Sequence, residues 1–353
     1  MTAHGAWNHG VTQVQLDILA TVLESNCSDS TVTVPRPREG DLVLRHVLRA
    51  LTALLLTAVA AFTMAPAAGA HSAAATAAAT DPSTTGSFAV AYSDLTVSAS
   101  GRSFSARVWY PGTSAGANAP VAPGAHPALA FGHGFFQGIN QYESLLKHYA
   151  SWGFITVAPK SQGGLFPSHS TFADDLNAAL TWLTAQNTTN GSRFAGAVNT
   201  GRLGVSGHSM GGGAALIAAS RNPAVRSVST LAAAETNPSA VTASGTLSVP
   251  AQYVGGSADT IAGVADNQQK MYNAKPAPTQ LRVITGGFHC GFEDSSGFGC
   301  DSGTITRAAQ QKLTQGITTS FFLYTLGGDT SVYDQVWGSA AHNLAGVVYS
   351  AKP

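Results

Sequence analysis

The sequence predicts an α/β protein, a mostly parallel sheet with helices on both faces. Three observations predict it. From about residue 128 onward, short apolar runs of strand length alternate with stretches of helical periodicity. A glycine-rich turn, Gly207-His208-Ser209-Met210-Gly211, lies where one such strand hands over to a helix of small residues. No internal repeat interrupts the pattern, so residues 88–353 are expected to form a single domain.

The elements follow in order. Residues 88–97 and 104–110 read as two strands joined by a turn containing Gly101, an antiparallel pair. Residues 111–127, rich in Gly, Pro and Ala, read as a loop. Residues 128–131 form a strand that ends in Gly132-His133-Gly134, and a helix over 142–152 leads to a buried strand over 154–158. A helix over 172–183 places Leu176, Ala179, Leu180 and Leu183 on one face. Residues 203–206 are a strand and 211–219 the small-residue helix; further strands are expected at 228–232, 251–254 and 281–284. A helix over 262–272 separates the last two strands, and a final helix runs from about 305 to 326.

Composition limits the partners. Charged residues are 10% of the 353 and the formal net charge is zero, against roughly 25% charged in an average globular protein. Neither a nucleic-acid partner nor an electrostatic membrane anchor is expected. No metal or organic cofactor is implied, and a monomer is expected.

The first 87 residues read differently. Arg45 and Arg49 precede an apolar run over 50–62, and small residues follow to Ala68-Gly69-Ala70, an A-x-A cleavage signature. The run is shorter than the roughly 20 residues that span a bilayer, so residues 43–70 read as an export signal; a buried core helix is the alternative. Translation is expected to start near Val43, with residues 1–42 an artefact of the assigned start. Residues 71–87, mostly Ala, Ser, Thr and Pro, read as a flexible lead-in. The mature protein is then extracellular. Removal of Cys27 with the leader leaves Cys290 and Cys300, ten residues apart, in a compartment that permits disulfides. A bridge there would contribute about 2.5–3 kcal/mol in the chain-entropy account; two free thiols are the alternative, and no metal-ligand spacing accompanies the pair.

The chemistry rests on Ser209. The G-x-S-x-G spacing between strand and helix is a nucleophile elbow, the mark of the α/β-hydrolase fold. Side chains at the flanking glycines would collide in so sharp a turn, which lifts the serine hydroxyl above the sheet. Serine needs a base, and the base needs an orienting acid, in the chain order Ser, acid, His. Only His289 and His342 follow Ser209; His289 comes just after a strand, whereas His342 lies beyond the last helix. Between Ser209 and His289 the acids are Glu235, Asp259 and Asp266. Asp259 follows a strand end through Gly255-Gly256-Ser257-Ala258, where sites of open α/β sheets lie, and is assigned; Glu235, after another strand end, remains an alternative. The Met210 amide and the Phe135 amide are the expected oxyanion donors, and Phe135, Phe136 and Met210 the expected substrate-lining residues, with both aromatics in the core as the alternative. His133 reads as structural. The Cys290–Cys300 bridge, starting beside the base, is expected to hold His289 in place.

These residues resemble the bacterial cutinase and poly(ethylene terephthalate) hydrolase branch of the α/β-hydrolases, with its dienelactone-hydrolase and chlorophyllase-like relatives. The resemblance spans roughly residues 88–325 and rests on Gly134-Phe135, Gly207 to Gly213, Asp259-Thr260-Ile261-Ala262 and the His289 loop. It implies Ser209, Asp259 and His289 as triad and Phe135 and Met210 as oxyanion donors. Two features depart from the family. A substrate-stacking tryptophan is replaced by Leu231-Ala232-Ala233-Ala234-Glu235-Thr236, and the disulfide sits beside the base rather than near the C-terminus. The expected function is a secreted serine ester hydrolase acting through an acyl-enzyme on lipid, cutin-like or polyester bonds. An exported acyltransferase with the same triad, or a non-catalytic binding protein on this scaffold, are the alternatives.

Overall fold

A computed structural model describes residues 81–353, Phe298 apart. The expectations for residues 1–70, and that of a flexible lead-in as far as residue 80, lie outside the described residues. Among the described residues, no helix is long and apolar enough to cross a membrane.

The chain enters on an antiparallel pair, β1 (Ala89–Ala99) and β2 (Arg102–Gly112), turned by Ser100 and Gly101 at positive φ. The two-residue β3 (Gly116–Ala117) pairs with the outer side of β1, a short strand within the segment expected to be loop. The sheet then becomes parallel through β4 (His126–Gly132), β5 (Ile155–Pro159), β6 (Val198–His208), β7 (Val225–Leu231), β8 (Ala251–Gly256) and β9 (Thr279–Ile284). The antiparallel β10 (Val347–Lys352) closes the edge beside β9, giving the order β10-β9-β8-β7-β6-β4-β5-β2-β1-β3. This is the predicted fold class.

Helices cover both faces because the strands are apolar on both. On one face α2 (His169–Gln186) and α3 (Met210–Arg221) bury Phe172, Leu176, Leu180, Leu216 and Ile217 against the sheet. On the other, α1 (Glu143–Ser151) and α6 (Arg307–Phe322) bury Leu146, Tyr149, Phe321 and Phe322. Two core clusters result, one per face, and the loops at the C-terminal ends of β4, β6, β8 and β9 gather between them at one rim.

Two local differences have physical reasons. The helix expected over 262–272 is α5, Gln268–Ala274, because the backbone amides of Ile261 and Ala262 donate instead to the Asp259 carboxylate. The short α4 (Ala240–Thr246) was not expected; Ser239 caps it by accepting from the Thr242 amide.

Candidate active site

The β6–α3 turn is set by contacts that leave no room for a Cβ. Ser209 sits at φ 54°, ψ −122°, outside the regions that side chains ordinarily favour. Its amide donates to the Leu231 carbonyl, and its own carbonyl accepts from the Gly213 and Ala234 amides. A Cβ on Gly207 would lie 2.4 Å from the Gly211 oxygen, and one on Gly211 would lie 2.2 Å from the Gly132 oxygen. The strained turn is thus held by backbone contacts on both sides, and the serine hydroxyl is aimed out of it.

The three residues singled out by chain order come together. Ser209 Oγ lies 2.8 Å from His289 Nε2, and His289 Nδ1 lies 2.8 Å from Asp259 Oδ2. An ionised carboxylate only accepts, so Nδ1 carries the proton and Nε2 accepts from the serine. The other Asp259 oxygen accepts from the Ile261 amide at 2.9 Å and the Ala262 amide at 2.7 Å. That explains why the acid is followed directly by residues that cannot yet be helical. Glu235 accepts from the Val241 amide, and Asp266 pairs with Lys270; neither hydrogen bonds to His289. His342 packs edge-on against Tyr349.

The loop at Gly134 is tied to the elbow by Tyr142. Its hydroxyl accepts from the Gly134 amide at 3.0 Å and shares a hydrogen bond with His208 Nδ1 at 2.8 Å. Burial, and then the nearby His289, hold the His208 pKa well below the ordinary range, so the ring is neutral. Among the described residues, the Phe135 and Met210 amides have no protein acceptor, as donors kept for a ligand must be. His133 is buried, with its two ring nitrogens each 2.8 Å from a carbonyl oxygen, those of Gly134 and Ser161, a structural arrangement.

Phe135 and Phe136 are not core residues. They are 50% and 59% exposed and, with Gln137, Ile261 and Cys290, wall a cleft of about 430 Å³ above Ser209 and His289. The Met210 side chain, expected on that wall, is buried instead in the core beneath α3, and only its backbone faces the elbow. The reason is geometric: the first residue of a helix that packs on the sheet turns its side chain inward. The Cys290–Cys300 disulfide is formed, with its Cα atoms 5.7 Å apart.

The chain matches the model of the family described as "PETase: PET hydrolase-like" over residues 64–299. It belongs to that family. Similar proteins include Cutinase est2 of Thermobifida alba, 30% identical over 165 residues, 47% of this chain and 52% of the relative. The bis(hydroxyethyl) terephthalate hydrolase of Streptomyces coelicolor is 30% identical over 164 residues, 46% of this chain and 50% of the relative. Chlorophyllase-1 of Arabidopsis thaliana is 35% identical over 63 residues, 18% and 19% of the two chains. The chain thus spans about half the length of the first two. In the segment that lacks a tryptophan, Ala232 and Ala233 are buried, and the Ala233 side chain sits where a Cβ on Gly212 would press against it. Small residues there let α3 approach the sheet closely, and the aromatic wall of this family member comes from Phe135 and Phe136.

Sequence reasoning missed Tyr142, Glu293 and Asp301. Glu293 is buried at the cleft floor, its Oε1 3.7 Å from His208 Nδ1, too long for a hydrogen bond. Burial pushes its carboxyl up to about 7. The folded protein therefore holds a proton that the unfolded chain has already released between about pH 4.5 and 7, so this group's contribution to stability falls as pH rises through that window and is flat above it. Glu293→Gln is expected to remove that fall: relative to wild type, the variant gains stability on going from pH 5 to pH 8. Thermal melts of both proteins at the two pH values check this, and parallel pH dependence would contradict it.

Proposed function

We propose that this chain is a secreted serine carboxylic ester hydrolase with Ser209 as nucleophile, His289 as base and Asp259 as orienting acid. The observation that carries the reading is the continuous relay Ser209 Oγ, His289 Nε2 and Nδ1, Asp259 Oδ2, with 2.8 Å at each step. Membership of the PET hydrolase-like family, and likeness to proteins named as a cutinase and as a bis(hydroxyethyl) terephthalate hydrolase, support the reaction class.

In this reading the serine oxygen attacks the ester carbonyl while His289 Nε2 takes its proton. Asp259 fixes the ring and stabilises the imidazolium without taking a proton itself. The Phe135 and Met210 amides receive the oxyanion. His289 returns the proton to the departing alcohol, and water activated by the same nitrogen then releases the acid from Ser209. The apolar, open cleft between Phe135, Phe136 and Ile261 suits acyl groups of lipid, cutin-like or polyester substrates. The export pattern over residues 43–70 supports an extracellular site of action, residues 88–353 serve as one catalytic domain, and the enzyme acts as a monomer.

The test is acylation of the serine. Mixing with p-nitrophenyl butyrate is expected to release about one equivalent of p-nitrophenol per chain ahead of the steady state, and a fluorophosphonate is expected to label Ser209. Absence of both burst and label would overturn the proposal. Product analysis with an added alcohol is expected to give free acid as the main product; predominant transfer to the alcohol would replace the hydrolase reading.

A further inference from the structure

We infer that Asp301 is a positioning residue for the reaction at Ser209, and that the Cys290–Cys300 disulfide acts on turnover through it. The inference rests on the reading of Ser209, Asp259 and His289 given above. Asp301 Oδ2 accepts from the His289 amide at 2.9 Å and from the Thr260 amide at 3.2 Å, while Oδ1 accepts from the Cys290 amide at 3.1 Å. One carboxylate therefore grips the backbone of the base and the backbone of the residue beside the acid. This link runs parallel to the side-chain bond between His289 and Asp259 and joins the two loops at the reacting residues, beyond the bond from the Ala258 amide to the Gly287 carbonyl.

Other bonds hold the loops short of the two residues: the Ala258 amide donates to the Gly287 carbonyl, and the Gln310 side chain bonds both the Phe288 amide and the Phe288 carbonyl, whereas Asp301 acts at His289 and Thr260 themselves. His289 begins a single short turn, His289–Phe292, which follows Gly286, Gly287 and Phe288. Asp259 sits in a turn that becomes helical only at Gln268. A carboxylate accepting three amides forms charge-assisted bonds that neutral turns cannot match.

The disulfide lies one residue from each end of the grip: Cys290 follows His289, and Cys300 precedes Asp301. Beyond Asp301 the chain is pinned again where the Thr304 and Ile305 amides donate to the Gly286 carbonyl. Asp301 is thus delivered between a covalent anchor and a hydrogen-bonded one. Without the bridge, the residues from Asp294 to Gly303, mostly Ser and Gly, would have to order themselves for the carboxylate to reach its three donors, at an entropic cost. The bridge has a catalytic consequence because of the residue next to it.

The test measures turnover of p-nitrophenyl butyrate per active site, with sites counted by fluorophosphonate labelling. Asp301→Ala is expected to lower kcat about 10- to 100-fold, the scale of a small misplacement of a reacting group, with KM changed less than about threefold. Asp301→Asn keeps one acceptor oxygen and is expected to fall between Ala and wild type. Cys290→Ala with Cys300→Ala is expected to lower kcat per site by a similar factor. Adding Asp301→Ala to that pair is expected to lower it little further, because both changes remove the same grip. A purely structural Asp301 would reduce the number of labelled sites and leave turnover per site at the wild-type value, and that result overturns the positioning role. Losses that multiply in the combined variant overturn the coupling to the disulfide. Loss of all labelling in wild type would instead count against the Ser209 reading, so the two failures are distinguishable.

Discussion

Ser209→Ala is expected to lower turnover of p-nitrophenyl butyrate by about 10⁶-fold, and a second substitution, His289→Ala, to add almost nothing. The magnitude follows from the way the members of such a relay act as one unit: without the oxygen, the base has nothing to activate. The geometry makes the dependence absolute. Ser209 Oγ is the atom bonded to His289 Nε2, and no other serine or threonine hydroxyl bonds to that ring among the described residues. Asp259→Asn should cost about 10⁴-fold, since an amide at that position favours the wrong tautomer of the ring. On the proposed assignment, the residual rate in Ser209→Ala is expected to come from the Phe135 and Met210 amides and from binding alone. Stopped-flow and steady-state rates on the three variants check the series, with circular dichroism to establish that each is folded. A Ser209→Ala protein retaining more than about one part in a thousand of wild-type turnover would place the nucleophile elsewhere.

The elbow was legible in the sequence because its chemistry demands adjacent residues. Gly207, Ser209 and Gly211 must be neighbours for the turn to close, so their spacing survives any loop variation around them. His289 and Asp259 were legible for a different reason: chain order left few acids and few histidines to choose from, and each stands just after a strand. The parallel strands declared themselves through their apolar runs. Asp301 gave no such signal. Its function depends on reaching amides twelve and 41 residues away, which the path of the chain through the disulfide decides and no local pattern encodes. Glu293 reads as an ordinary surface acid until packing by α6 buries it. The Met210 side chain was misplaced because a motif specifies where the backbone amide points and says nothing of which way the side chain packs. Edge strand β10 is defined by its pairing with β9, and helix α4, though begun by its own Ser239 cap, is too short for a helical period to show.

Gly211→Ala is expected to cost at least about 3 kcal/mol of stability, at the upper end of what overpacking commonly does, because the obstruction is backbone and cannot rotate away. The added Cβ would meet the Gly132 oxygen at 2.2 Å and the His133 oxygen at 2.5 Å, so β4 and the start of α3 would have to separate. For a domain of this size the melting temperature should fall by roughly 6–12 °C. Activity should fall further than stability alone accounts for. Gly132 and His133 lead into the Gly134-Phe135 loop, and Gly211 is next to Met210, so the forced separation pulls apart the two amides assigned to the oxyanion. Loss of one such donor costs about 10²- to 10³-fold in kcat. Gly164→Ala is the matched control: a Cβ there meets nothing within 4 Å, and the position has no positive φ. That variant should stay within about 0.5 kcal/mol of wild type. If Gly211→Ala melts and turns over like the control, the close approach of β4 to α3 is not what holds Ser209 in its strained conformation, and the source of that strain must be sought in the Leu231 and Ala234 backbone contacts instead.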